Sequence, residues 1–207
     1  MLQADNISIQ FGDECVLNRF SCRVERGAFA CITGVSGCGK TSLLKSFLGL
    51  TSLTEGIIRV GEYILSERTC GIIRKLVAYL PQDLALPFAT VSETAIHILK
   101  IGGLHYDYRM KLRLCECMAK LGLDEELLDK RVAEISGGQR QRLILAVLSL
   151  LDREVWLLDE PTAALDGTSR DYVIDFLIEQ QCKGKTIVAV SHDVCFSSKC
   201  SVIIPLG

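Results

Sequence analysis

Two kinds of apolar pattern alternate along the chain. Short runs rich in β-branched and aromatic residues crowd its first third: Ile7-Ser8-Ile9-Gln10-Phe11, Phe20-Ser21-Cys22-Arg23-Val24, Phe29-Ala30-Cys31-Ile32-Thr33 and Ile57-Ile58-Arg59-Val60. They predict strands, with Gly12-Asp13 and Arg26-Gly27 between them as turn chemistry. A helix is predicted over 40–48, directly after the third run. Val155-Trp156-Leu157-Leu158 and Thr186-Ile187-Val188-Ala189-Val190 are apolar without alternation, as suits strands covered on both faces. Helices between such strands imply an α/β core. From 81 to 135 the pattern changes, because Lys, Arg, Glu and Leu recur at helical spacing over 108–121 and again over 124–131. The expected organisation is a single domain over 1–207, with its core and a β subdomain in 1–82 and 136–207 and an inserted helical subdomain in 83–135.

Composition narrows this picture. With 207 residues and 49% hydrophobic side chains, the chain can bury a sizeable core as one unit. Its 23 basic and 25 acidic residues leave a formal charge of -2, which offers no electrostatic footprint for nucleic acid. The longest strongly apolar stretch, 143–151, is about half of the roughly 20 residues that a helix needs to cross a bilayer. The start, Met1-Leu2-Gln3-Ala4-Asp5, has no basic segment followed by an apolar one, so a cytoplasmic location is expected. Among the 10 cysteines the only close pair is Cys115-Glu116-Cys117. That is not the spacing of a zinc site, so reduced, mostly buried thiols are expected.

Candidate chemistry begins at Gly34-Val35-Ser36-Gly37-Cys38-Gly39-Lys40-Thr41. The segment fits GxxxxGK[ST] between an apolar strand and an apolar helix. Gly34, Gly37 and Gly39 allow backbone N–H groups to close around a phosphate, and the helix start adds unpaired donors and the positive end of its dipole. Ser36 and Cys38 lie in the same cradle. Lys40 would carry charge to the β- and γ-phosphates, Thr41 its hydroxyl to Mg²⁺, and Ser42 could reach an α-phosphate oxygen. Cys38, pressed against this site, is expected to carry a reactive thiol. Asp159 and Glu160 follow an apolar run at what would be the carboxyl end of a buried strand, where open α/β sheets bind ligands. Asp159 suits the metal, and Glu160 suits orienting a water against the γ-phosphorus.

Ile135-Ser136-Gly137-Gly138-Gln139-Arg140-Gln141 resembles the signature segment of the ABC ATPases, usually written LSGGQ, with Ile135 in place of leucine. Ser136 can cap a helix running from about 139 to 151, and Gly137 and Gly138 leave its amino end bare enough to approach a phosphate. The rest of that family's pattern follows in order over nearly the whole chain. The resemblance implies a P-loop NTPase (RecA-like) core with an N-terminal antiparallel β subdomain and an inserted α-helical subdomain. It makes Gln82 the Q-loop glutamine that senses the γ-phosphate and Mg²⁺. Ala163-Ala164-Leu165-Asp166 becomes the D-loop, with alanine where serine is usual, and His192 the switch histidine at the γ-phosphate. It puts Phe11 at the position of an adenine-stacking aromatic ring; a phenylalanine packed in the core is the competing reading.

By the same resemblance the ligands are ATP and Mg²⁺. The catalytic set is Glu160, His192, Gln82 and Lys40, and the metal set Thr41, Gln82 and Asp159. Two copies would face head to tail, each ATP lying between one phosphate loop and the other copy's Ser136, Gly137, Gly138 and Gln139, with Asp166 nearby. The expected role is the ATP-binding subunit of a transporter, working on a separate membrane permease at the inner face of the cell membrane, with no nucleic acid partner. Alternatives are a regulatory or mechanical cassette on a membrane partner, or a soluble ABC ATPase acting on nucleic acid or ribosomes. Leu84, Leu86, Pro87 and Phe88 would form either the docking surface for the membrane subunit or part of the lobe's core.

Overall fold

The computed structural model describes residues 1–163 and 165–206. Ala164, in the predicted D-loop, and Gly207 lie outside the described residues. The N-terminal strands β1 (Leu2–Phe11), β2 (Glu14–Val24), β4 (Glu55–Val60) and β5 (Tyr63–Ile64) form an antiparallel sheet in the order β2-β1-β4-β5. Gly12 turns the first hairpin at φ 59, a conformation that glycine adopts without a Cβ penalty. Both hairpin strands start earlier than their apolar runs predict. Leu2 and Ala4 alternate with polar neighbours and bury against the core, a weaker signal than an unbroken run.

The second sheet is parallel. Its strands are β3 (Phe29–Thr33), β6 (Val77–Leu80), β7 (Val155–Asp159), β8 (Thr186–Val190) and β9 (Val202–Pro205), in the order β6-β7-β8-β3-β9. Both faces are covered. Phe29, Cys31, Trp156 and Leu158 join one apolar cluster with the helices, while Ala30, Ile32, Val155 and Leu157 join another with the antiparallel sheet and α1 (Lys40–Phe47). Double coverage explains why these strands read as continuous apolar runs rather than alternating ones. The register sets Leu80 beside Leu158, Asp159 beside Val190 and Ile32 beside Val190. Because the strands are parallel, the carboxyl ends of β3, β6, β7 and β8 emerge on one edge.

Helix α2 (Cys70–Leu76) leads into β6. Beyond that strand come α3 (Val91–Ile101) and α4 (Tyr108–Lys120), both packed on α5 (Gly137–Leu150). Thr90 and Glu93 cap α3 reciprocally. The helix expected over 124–131 is instead a 3-10 turn, Glu125–Asp129. Adjacent Leu127 and Leu128 are both buried, and a short tight turn accommodates that where one α-helical stripe does not. Helix α5 is buried over most of its circumference, from Leu143 to Leu148 without a break, since it lies between the sheet and α3 and α4. Arg142 fastens the junction by donating to the carbonyls of Leu121 and Gly122 at 2.8 and 3.1 Å. Helices α6 (Gly167–Cys182) and α7 (Val194–Ser197) are the remaining α-helices among the described residues. No helix among them is long and apolar enough to cross a membrane.

Candidate functional site

The edge where the parallel strands end carries a cavity of about 750 Å³. It is lined by Ser36, Gly37, Gly39, Lys40, Thr41, Ser42, Gln82, Asp159, Glu160 and His192, all singled out from the sequence. Each arrives on a strand end: β3 delivers the glycine loop, β6 Gln82, β7 the acid pair and β8 His192. The loop's shape depends on two glycines. A Cβ on Gly34 would meet the Leu206 carbonyl oxygen at 2.2 Å. One on Gly39, at φ 98, would meet Val16 at 2.5 Å. Gly37 instead has open space where a Cβ would stand.

Lys40 is 7% exposed. Its Nζ donates to the carbonyls of Gly34 and Val35 at 2.9 and 2.8 Å and lies 3.9 Å from the Cys38 thiol. The charge is therefore held inside the cradle by the loop's own backbone, on the side where an incoming phosphate would meet it.

Asp159 is 1% exposed. The Thr41 hydroxyl donates to its Oδ1 at 3.1 Å, whereas Oδ2 is buried with no partner among the described residues. Burial pushes this carboxyl above its ordinary range, against the Thr41 hydrogen bond and the charges of Lys45 and Lys40. A buried carboxylate oxygen without a donor, beside a hydroxyl, is a donor set that suits a hard cation such as Mg²⁺.

Glu160 sits half-buried at φ 53, a left-handed conformation that costs a non-glycine residue on the order of 1–3 kcal/mol. It persists because its neighbours fix it from two sides. The Glu160 N–H donates to the Val190 carbonyl at 3.0 Å, and the Gln141 amide donates to the Glu160 carbonyl at 2.7 Å. The twist carries the side chain away from the strand, so that its Oε1 stands 3.3 Å from His192 Nε2. Burial raises the Glu160 carboxyl, and the nearby His192 works against that rise.

The signature segment is built differently. Ser136 caps α5, accepting from the Gln139 N–H at 3.1 Å while Gln139 Oε1 accepts from the Ser136 N–H at 2.9 Å. This capping box starts the helix at Gly137, two residues before the expected 139. Ile135 is buried in the main apolar cluster, so the departure from leucine preserves its packing. Ser136 and Gly137 are exposed, and none of Ser136, Gly137 and Gly138 lines the 750 Å³ cavity. Asp166 likewise lies outside it, capping α6 through the N–H and hydroxyl of Ser169, both at 2.9 Å.

Phe11 is 54% exposed at the tip of β1 and does not line the cavity; the core-packing reading does not hold. Cys38 is half-buried in the loop. Leu84 and Leu86 pack partly buried against the main cluster, and the Phe88 ring lies 4.6 Å from that of His97.

Several cavity residues carried no readable sequence signal. Val16, Thr162, Arg170 and Asp193 also line it. Arg170 reaches Asp193 at 3.6 Å, a pairing between α6 and the loop after β8 that no local spacing announces. Nor did the Gln141 contact with Glu160, whose partners stand 19 positions apart.

Comparison with known proteins bears on the family and the fold. The sequence model described as "ABC transporter" matches residues 17–163. The chain is 30% identical over 199 residues to the zinc transport system ATP-binding protein TroB of Treponema pallidum (strain Nichols), covering 93% of this chain and 73% of that protein. It is 31% identical over 191 residues to the ergothioneine transport ATP-binding protein EgtV of Helicobacter pylori (strain G27), covering 91% and 88%. With the carnitine transport ATP-binding protein OpuCA of Listeria monocytogenes it shares 31% identity, but there it spans only 49% of the relative. Among solved structures, the dimeric post-hydrolysis state of the ATP-binding cassette MJ0796 bound to ADP and Pi superimposes with a TM-score of 0.89 at 27% identity. That match covers 100% of this chain and 94% of the other. A family match over most of the sequence, on a fold whose strand ends gather a phosphate loop and two acids, has one consequence: the chain belongs to the ABC transporter family, among its ATP-binding, ATP-hydrolysing cassettes.

Proposed function

We propose that the chain is the ATP-binding subunit that drives a separate membrane permease, and that it hydrolyses ATP between two copies of itself arranged head to tail. The carrying observation is a division of parts. One cavity gathers Lys40, Thr41, Gln82, Asp159, Glu160 and His192, while Ser136 and Gly137 stand exposed outside it. A phosphate held by the loop of one copy would be sealed by the N–H groups and Ser136 hydroxyl of the second, in a water-excluded site where such donors act strongly on developing charge. The segment 83–135 serves as the lobe that carries the permease contact and moves relative to the core.

Within one site Lys40 exchanges the Gly34 and Val35 carbonyls for phosphate oxygens. Thr41, Asp159 and Gln82 would hold Mg²⁺, and when bound it neutralises charge building on the β- and γ-phosphate oxygens. Glu160 orients the attacking water and takes its proton; the water oxygen bonds to the γ-phosphorus as the bond to the β-phosphate oxygen breaks, releasing ADP and phosphate. His192, 3.3 Å from Glu160, steadies that carboxylate and faces the γ-phosphate. Phe11 offers its exposed ring to the base, and Asp166 faces the partner copy. Loss of the γ-phosphate removes the contacts that hold the copies together, and their separation moves the permease.

Glu160→Gln is the direct test. The variant is expected to bind ATP, to lose about a hundredfold or more of its turnover, and to elute as a dimer with ATP on size exclusion with light scattering. Hydrolysis at the parental rate overturns the assignment of Glu160. Copurification tests the transport role: a membrane protein recovered with the tagged chain supports it, and ribosomes or nucleic acid in its place refute it.

A further inference from the structure

We infer that Gln141 is a positioning residue for hydrolysis, transmitting the state of the signature segment to Glu160; this rests on the role proposed for Glu160. Gln141 lies on α5, four residues after Gly137, and residues at that spacing share a helix face. Both line one small cavity of about 170 Å³, together with Gln82 and Glu160. The side chain is 5% exposed, and its Nε2 donates to the Glu160 carbonyl at 2.7 Å. Among the described residues the Ala163 N–H also donates to that carbonyl, from farther off at 3.3 Å.

The amide orientation follows from its partner. A carbonyl can only accept, so Nε2 must face it and Oε1 must face away. That leaves Oε1 buried with no partner among the described residues, an expensive state for a polar atom. A side chain kept merely to pack would not be an amide with one end orphaned. The bond instead secures the left-handed backbone of Glu160, at φ 53, from which its carboxylate is aimed. Helix α5 begins at the capped Ser136, one turn before Gln141. Pressure of a second copy on Ser136, Gly137 and Gly138 therefore reaches the Glu160 carbonyl through one rigid turn and one hydrogen bond. Gln141 shares that cavity with Gln82, whose amide would become the partner of the orphaned Oε1 as the site closes.

Two variants test this in the full chain. Gln141→Met keeps the volume and removes the donor; Gln141→Glu keeps the polarity and removes the donor. Both are expected to lower kcat about tenfold or more, since small misplacement of a reacting group costs that much. The KM for ATP should stay within about twofold and the Tm of Gln141→Met within about 3 °C. The decisive readout is single-turnover hydrolysis in the Glu160→Gln background. There Gln141→Met should add no further loss, because its effect runs through the missing carboxylate; an added loss of the same size would mean a general structural role and overturn the inference. Full kcat in both variants, beside an inactive Glu160→Gln, overturns it alone. Parental turnover by Glu160→Gln removes the role of Glu160 and this inference with it.

Discussion

The phosphate loop and the signature segment are both glycine-rich turns that feed a helix, yet their surroundings differ. At the loop, Gly34 and Gly39 are pressed against Leu206 and Val16, Lys40 is buried on backbone carbonyls, and the loop lines the main cavity. At the signature segment, Ser136 and Gln139 satisfy one another, and a Cβ on Gly137 would meet nothing within 4 Å. The first has its partners within the chain. The second is held rigid by its own cap and presents its open side outward. Under the proposed function, a site divided in this way makes a chain that binds alone and works in pairs.

Substitutions can break that comparison. The largest effect is expected for Lys40→Ala. Loss of a charge-assisted contact to phosphate should weaken ATP binding by the isolated chain roughly 10- to 100-fold, read by titration with a fluorescent nucleotide. Ser136→Ala, on the open side, should leave that affinity unchanged while lowering turnover about tenfold. Removing the cap costs about 1 kcal/mol, so its Tm should also fall by about 2–4 °C. If Ser136→Ala weakens binding by the monomer as much as Lys40→Ala does, the two segments are not separate half-sites.

The smallest effect concerns stability alone. Burial raises the Asp159 carboxyl in the folded protein, so the fold favours its protonated form. The stabilisation it contributes is full below the ordinary carboxylate range and is lost as pH rises through the raised value. Above that raised value the buried ion is a liability, and Asp159→Asn should there raise the Tm by a few degrees. It should also flatten the decline in stability as pH rises. A lower Tm above that value would show that the carboxylate stabilises the fold rather than straining it.

Most of the binding chemistry was legible in order along the chain because each piece is local. A glycine loop needs its glycines within eight positions, an acid pair follows its own strand, and Ser136 caps the helix it precedes. Where one turn of backbone decided the matter, pattern was a weaker guide. The 3-10 turn at Glu125–Asp129 has the polar and apolar spacing of a helix, and the capping box moved the start of α5 back to Gly137. Phe11 could be read as stacking or as core until its exposure was known.

What the sequence determined by itself is therefore the set of groups able to meet a nucleotide and the α/β core that carries them. The parallel sheet decided that these groups share one edge. Its order, β6-β7-β8-β3-β9, brings together strand ends from distant parts of the chain, and adjacency between strands is a long-range pairing that no local run of residues encodes. The same pairing sets the Glu160 carbonyl against Gln141 and Arg170 against Asp193. The reason is physical: a local motif fixes what a side chain can do, and only packing fixes what it can reach.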